Sequence, residues 1–223
     1  MSARATLLPF YALCDVSASM REASRIEALN AAILATCDAA AMNPVVADRI
    51  RLGVVALSGE ADVALPLCDL GLLERVPPLA PRGLTNYGAG FALLRATIEA
   101  DVAQLVADGY RVFRPAVFFL TDGRPTDTGA AWRAALAQLL HDDFPHRPNI
   151  VSFGFGEADH ALLGEIATLA AYRASDAMTA AAAIAGFGTL LVESVVASGA
   201  AGRLQLPSAP PDGLDPLPLE DLL

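Results

Sequence analysis

The chain contains no lysine. All 15 of its basic residues are arginine, set against 25 acidic side chains, for a formal charge of −10 over 223 residues. That absence excludes several chemistries. A P-loop needs a Lys to reach the terminal phosphates of a nucleotide. Pyridoxal and Schiff-base enzymes need a Lys amine, and a protein-kinase core needs its strand Lys. The scarcity of positive charge also argues against a sequence-independent nucleic-acid binder, which rests on a basic footprint. Cysteine is scarce too. Cys14, Cys37 and Cys68 are odd in number, widely spaced and flanked by apolar residues. They read as three reduced thiols in a cytoplasmic protein, with no CxxC knuckle for a metal. The apolar run from Met1 to Pro9 is too short for a signal peptide. The uncharged segment Ala177 to Val192 falls short of the ~20 residues of a membrane span. Within it and just beyond, Ile184, Phe187, Leu191 and Val195 repeat at helical spacing, the pattern of a helix packed on a sheet.

What is present is an alternation of buried strands and amphipathic helices. Leu7 to Cys14, Arg51 to Leu57, Pro115 to Thr121 and Asn149 to Phe155 are short apolar runs that read as strands. The third contains Val117-Phe118-Phe119-Leu120, a continuous run that signals burial on both faces. Ala61 to Leu67 alternates after a Ser58-Gly59-Glu60 turn and predicts an antiparallel edge strand. Helices are predicted from Ile26 to Cys37, from Gly88 to Val106, from an Asp127-Thr128 cap to Leu140, and from Asp159 to Leu169. A strand near Tyr172 and a last helix follow. The expected fold is therefore doubly wound α/β: a mostly parallel central sheet, helices on both faces and one antiparallel edge strand. Residues 1–202 form the expected domain. Residues 203–223 hold five prolines and four acids against one Arg, and predict a disordered tail.

In such sheets ligands bind beyond the carboxyl ends of the strands, at the switch in strand order. Three polar loops lie there: Asp15-Val16-Ser17-Ala18-Ser19, Gly83-Leu84-Thr85-Asn86-Tyr87-Gly88, and Asp122 to Asp127. Asp15, Ser17, Ser19, Thr85 and Asp122 offer two carboxylates and three hydroxyls. This oxygen-only set suits Mg²⁺, with Mn²⁺ or Ca²⁺ as alternatives, rather than Zn²⁺. In an extended loop, alternate residues of Asp-x-Ser-x-Ser point to one side and converge. Asn86, Tyr87 and Arg124 flank this point as candidate partner-binding residues. Asp127 reads as a helix cap rather than a sixth ligand.

The segments Phe10 to Met20, Gly83-Leu84-Thr85 and Phe118 to Gly123 resemble a von Willebrand factor type A domain, over about residues 5 to 198. More narrowly, Leu65-Pro66-Leu67, Pro77-Pro78-Leu79, Arg114 to Phe118, Thr121 to Asp127 and Gly156 to Asp159 resemble the TerY-like branch associated with tellurium resistance. The resemblance implies a metal-ion-dependent adhesion site in which the hydroxyls of Ser17, Ser19 and Thr85 bind the ion directly. Asp15 and Asp122 act directly or through water, and a partner protein supplies a further carboxylate. It also implies an adaptor in a tellurite-response, stress-response or phospho-signalling complex, with a Ser/Thr kinase or phosphatase as partner. Neither a nucleic acid nor a membrane is expected as partner. Ala18 and Leu84 stand where the family usually has Gly.

Two rival readings differ in class. A Mg²⁺-dependent phosphohydrolase would use Asp15 and Asp122, but its second acid is replaced by Ser17. Ser17 and Ser19 lack a GxSxG elbow for acyl transfer, so catalysis is not expected. A metal-independent scaffold is the other rival, and five intact ligands speak against it. His141, His146 and His160 are scattered. Gly154-Phe155-Gly156 lacks the third glycine of a dinucleotide loop. The terminal Leu217 to Leu223 mixes Leu with acids, and Glu220 or Asp221 is a conceivable visitor to a neighbour's metal.

Overall fold

Alternation along the first strand sets up two cores. In β1 (Thr6–Asp15), Leu8, Phe10, Ala12 and Cys14 enter one hydrophobic cluster, whereas Tyr11 and Leu13 enter the other. A strand buried on both faces must lie in the middle of the molecule. The computed structural model describes residues 5–219. After β1 come α1 (Arg25–Ala41), α2 (Pro44–Arg49), β2 (Ile50–Leu57), β3 (Asp62–Cys68) and α3 (Tyr87–Ala107). The chain continues through β4 (Arg111–Val112), β5 (Ala116–Thr121), α4 (Gly129–Leu140), β6 (Asn149–Gly154) and α5 (His160–Ile166). It ends with β7 (Ala170–Ala174), α6 (Ala180–Ala201) and β8 (Leu214–Leu217).

The sheet order is β3-β2-β1-β5-β6-β7-β8, with two-residue β4 pairing beside the start of β1. β2, β1, β5, β6 and β7 are parallel, and β3 is the expected antiparallel edge. The chain winds outward in one direction from β1 and in the other from β5. The switch point thus falls between the ends of these two strands, at Asp15 and Asp122. Helices α1 and α6 cover one face; α3, α4 and α5 cover the other. Gly188 of α6 lies against Ala32 of α1, where an added Cβ would stand 2.7 Å from the Ala32 Cβ. Only a missing side chain lets these two helices come so close. By length and composition α6 could cross a bilayer. Here its Ile184, Phe187, Leu190, Leu191 and Val195 are buried in the core.

One expectation needs correction. The tail from residue 203 does not lie wholly outside the fold, because β8 pairs antiparallel with β7 and closes the sheet with a second antiparallel edge. Leu214 is buried, and an added Cβ on Gly186 of α6 would meet it at 3.2 Å. Pro216 is compatible with this place because an edge strand leaves one row of backbone donors unused. Polar, Pro-rich composition averaged over the tail hides this one tetrapeptide. Asn43-Pro44 follows the end of α1 at Ala41 and starts α2, with the Asn43 side chain accepting from the Val45 and Val46 amides. Pro at the first helical position is favourable there. Glu220 and Asp221 lie outside the described residues.

Candidate metal centre

Asp15 is the last residue of β1 and is fully buried. Its Oδ1 accepts the Ser17 amide at 2.8 Å, and its Oδ2 accepts the Thr121 hydroxyl from the end of β5 at 2.7 Å. Burial pushes the carboxyl up to about 6, although hydrogen bonds from Ser17 and Thr121 pull the other way. The Ser17 and Ser19 hydroxyl oxygens are 3.0 Å apart. Ser19 in turn donates to Asp122 Oδ1 at 2.9 Å. Ser17, Ser19 and Asp122 therefore form one connected cluster, and Asp15 is tied to its first member.

The Thr85 loop is stitched onto this cluster by backbone bonds. The Arg82 amide donates to the Val16 carbonyl at 2.7 Å, and the Ala18 amide to the Gly83 carbonyl at 3.1 Å. Gly83 has φ +62°, and a Cβ there would lie 3.1 Å from the Gly59 amide nitrogen. Only glycine adopts that turn without strain. On the other side, Thr126 donates to the Thr85 carbonyl through its amide at 2.7 Å and its hydroxyl at 3.0 Å. Thr85 is buried between the loops that carry the other four residues. Ala18 and Leu84, where the family usually has Gly, have no positive φ, and both side chains are exposed. Their Cβ atoms are accommodated without distorting the loops.

Among the described residues no three His, Cys, Asp or Glu side chains gather in one place. The donors brought together here are hydroxyls and two carboxylates. This set fits a small hard cation that keeps some of its waters. The flanking residues divide. Tyr87 is not a surface residue. It is buried against Phe91, Phe119 and Trp132, and its hydroxyl donates to the Gly123 carbonyl at 2.9 Å. An aromatic ring with a polar tip fills the gap between β5 and α4 better than it serves the solvent. Asn86 caps α3, accepting from the Ala89 amide. Arg124 is exposed, 3.8 Å from Asp159. Asp127 does not cap α4, which Thr128 does. It reaches across to accept the Tyr87 and Gly88 amides at the start of α3.

Two residues, Thr121 and Arg25, escaped the sequence reading. Thr121 holds Asp15, and Leu84, noted from sequence only for replacing a glycine, presents an exposed apolar side chain beside Thr85. Arg25 places its Nη1 2.7 Å from Asp122 Oδ2. Nothing in the order of residues links Arg25 to Asp122. A cleft of about 880 Å³ shares Arg25 with this centre and runs past Arg124, Phe155, Asp159 and Met178.

Comparison with protein families matches residues 10–124 to the von Willebrand factor type A domain. The chain belongs to the von Willebrand factor type A family. Domains of this family commonly mediate protein interactions through a metal-ion-dependent adhesion site. Comparison with curated proteins gives no match. Among solved structures, a von Willebrand factor type A protein from Catenulispora acidiphila is 18% identical with a TM-score of 0.65, covering 85% of this chain and 43% of its own. Proximal thread matrix protein 1 from the mussel byssus, described with a zinc-occupied adhesion site, is 17% identical (TM-score 0.59), covering 87% and 49%. The pilus adhesin SpaC of Lactobacillus rhamnosus GG is 14% identical (TM-score 0.66), covering 88% and 30%. The chain thus spans less than half the length of these relatives, and identities this low bear on the fold alone.

Proposed function

We propose that this type A domain is a metal-ion-dependent protein-binding adaptor, with Asp15, Ser17, Ser19, Thr85 and Asp122 as the metal site. The observation that supports it best is the hydrogen-bonded convergence of Asp15, Ser17, Ser19 and Asp122 at the switch point, with the Thr85 loop fastened over them. The hydroxyls of Ser17, Ser19 and Thr85 would hold the ion. Asp15 and Asp122 orient those hydroxyls and balance charge. Mg²⁺ is the expected ion, with Mn²⁺ and Ca²⁺ as substitutes, and it would supply an attraction for a carboxylate of the partner. Both Asp15 oxygens already accept hydrogen bonds, so this carboxylate is engaged in holding loops rather than poised as a phosphatase nucleophile.

By resemblance to the TerY-like branch, the protein would act in the cytoplasm within a tellurite-response, stress-response or phospho-signalling complex. A Ser/Thr kinase or phosphatase is the proposed partner. Arg124 and Leu84 are the exposed side chains beside the site that such a partner would meet. The test is a pull-down from native lysate with and without EDTA, alongside Asp15→Ala and Thr85→Ala. Partners lost in all three conditions support the adaptor. Partners retained equally in every sample would sink the metal-bridged reading and favour a metal-independent scaffold.

A further inference from the structure

We propose that Arg25 is a positioning residue that holds Asp122 back from the cation and so keeps the centre positive enough to accept an outside carboxylate. The inference rests on the metal-dependent reading above. Arg25 opens α1 directly after an unusual turn. Ala23 and Ser24 have φ of +48° and +56°, the left-handed region that non-glycine residues seldom occupy. Two such residues in succession persist only where the surroundings over-determine them. The turn delivers the guanidinium to the side of the Asp-x-Ser-x-Ser loop. There Nη1 donates to Asp122 Oδ2 at 2.7 Å and to the Ser19 carbonyl at 3.2 Å. The side chain also lies 5.9 Å from the Phe155 ring centroid.

One detail separates placement from simple stabilisation. Arg25 Nε is buried and has no hydrogen-bond partner among the described residues. A buried donor left unmet is rare, and calls for a reason beyond packing. The hold on Asp122 supplies one. With Arg25 on Oδ2 and the Ser19 hydroxyl on Oδ1, both oxygens of Asp122 are engaged by the protein. Asp122 then acts on the ion through Ser19 or through water. The charges follow. A divalent ion and Arg25 against Asp15 and Asp122 leave one positive charge; without Arg25 the sum is zero. Glu22 lies 3.6 Å from Arg25 Nη2 but is well exposed, so solvent screens it. Both bonds come from the single Nη1 nitrogen, so the role rests on a placed positive charge rather than on the guanidinium fork.

The experiment uses Mn²⁺ as the ion and acetate as the carboxylate, both read by water-proton relaxation on the full chain. Arg25→Gln is expected to bind Mn²⁺ about tenfold more tightly, because Asp122 is released toward the ion. Its Mn²⁺ form should bind acetate about tenfold more weakly. In an Asp122→Asn background the same substitution should change Mn²⁺ binding less than about threefold. A purely structural role predicts the opposite sign, a weaker metal site. Folded Arg25→Gln with weaker Mn²⁺ binding, or with wild-type binding of both probes, overturns this inference alone. Should Arg25→Gln fail to fold, Arg25→Lys decides. It keeps the charge and should retain acetate binding within about threefold, and a tenfold loss of both probes would overturn the proposal. A wild-type chain that binds no Mn²⁺ overturns the metal reading and this inference with it.

Discussion

Asp15 sits at the end of β1 with its carboxyl pushed up to about 6 by burial, and this ties the site to pH. The cation proposed for this site needs the ionised form, so below about pH 6 the Asp15 proton would have to be expelled before the ion enters. We expect Mg²⁺ affinity to weaken about tenfold per unit as pH falls below that point. Calorimetric titration at about pH 5 and about pH 7.5 checks it; equal affinities would contradict the placement of Asp15. The sign for folding is the reverse. The folded value lies above the ordinary aspartate value of 3.8, so in the metal-free chain the proton's contribution is fully present below 3.8. It is lost as pH rises through about 6. Tyr87 makes a second case. Tyr87→Phe removes the bonds to Thr121 and the Gly123 carbonyl and should cost about 1 kcal/mol in urea unfolding. The convergence of Asp15 with the two serines was legible in sequence, because alternate residues of an extended loop share one side. The burial of Tyr87 was not, since a tyrosine in a polar loop carries no mark of the aromatic cluster that receives it.

At the scale of elements, the start of α3 couples helix to site. Its first amides meet the Asp127 carboxylate from the opposite loop, and Asn86 caps the next amide. Acids at a helix N-terminus satisfy orphan donors and complement the helix dipole. Asp127→Ala should therefore lower stability by about 1–2 kcal/mol. It should also loosen the Thr85 loop, measurable as faster amide exchange at Thr126, whose amide bonds to the Thr85 carbonyl. Unchanged exchange there would show that the two loops move independently. The helix itself was legible to within a residue at each end. Its cap was not, because Asp127 is nearer in sequence to α4 and only folding brings it to α3.

At the scale of the molecule, the switch point and the far edge of the sheet behave differently. The switch between β1 and β5 places Asp15 and Asp122 side by side, although they are 107 positions apart in the chain. The far edge is closed by β8, fastened by Leu214 and by an Arg173–Asp215 ion pair at 3.3 Å. Leu214→Ala should cost about 2–4 kcal/mol, the range for truncating a buried leucine. The exposed ion pair adds little. Equilibrium urea unfolding reads the difference. A loss under about 0.5 kcal/mol would mean that β8 is only loosely docked.

Periodicity and side-chain type alone carried the strand–helix alternation, the sheet's class and the five oxygen donors. Those features depend on local spacing, and local spacing is conserved when the chain folds. The tertiary structure alone decided the rest: Arg25 on Asp122, Asp127 at the start of α3, Tyr87 in the core and β8 on the sheet edge. Each is a contact between segments distant in the chain or a choice between burial and exposure. Both depend on which surfaces meet, and no residue's own chemistry specifies its neighbour across the fold.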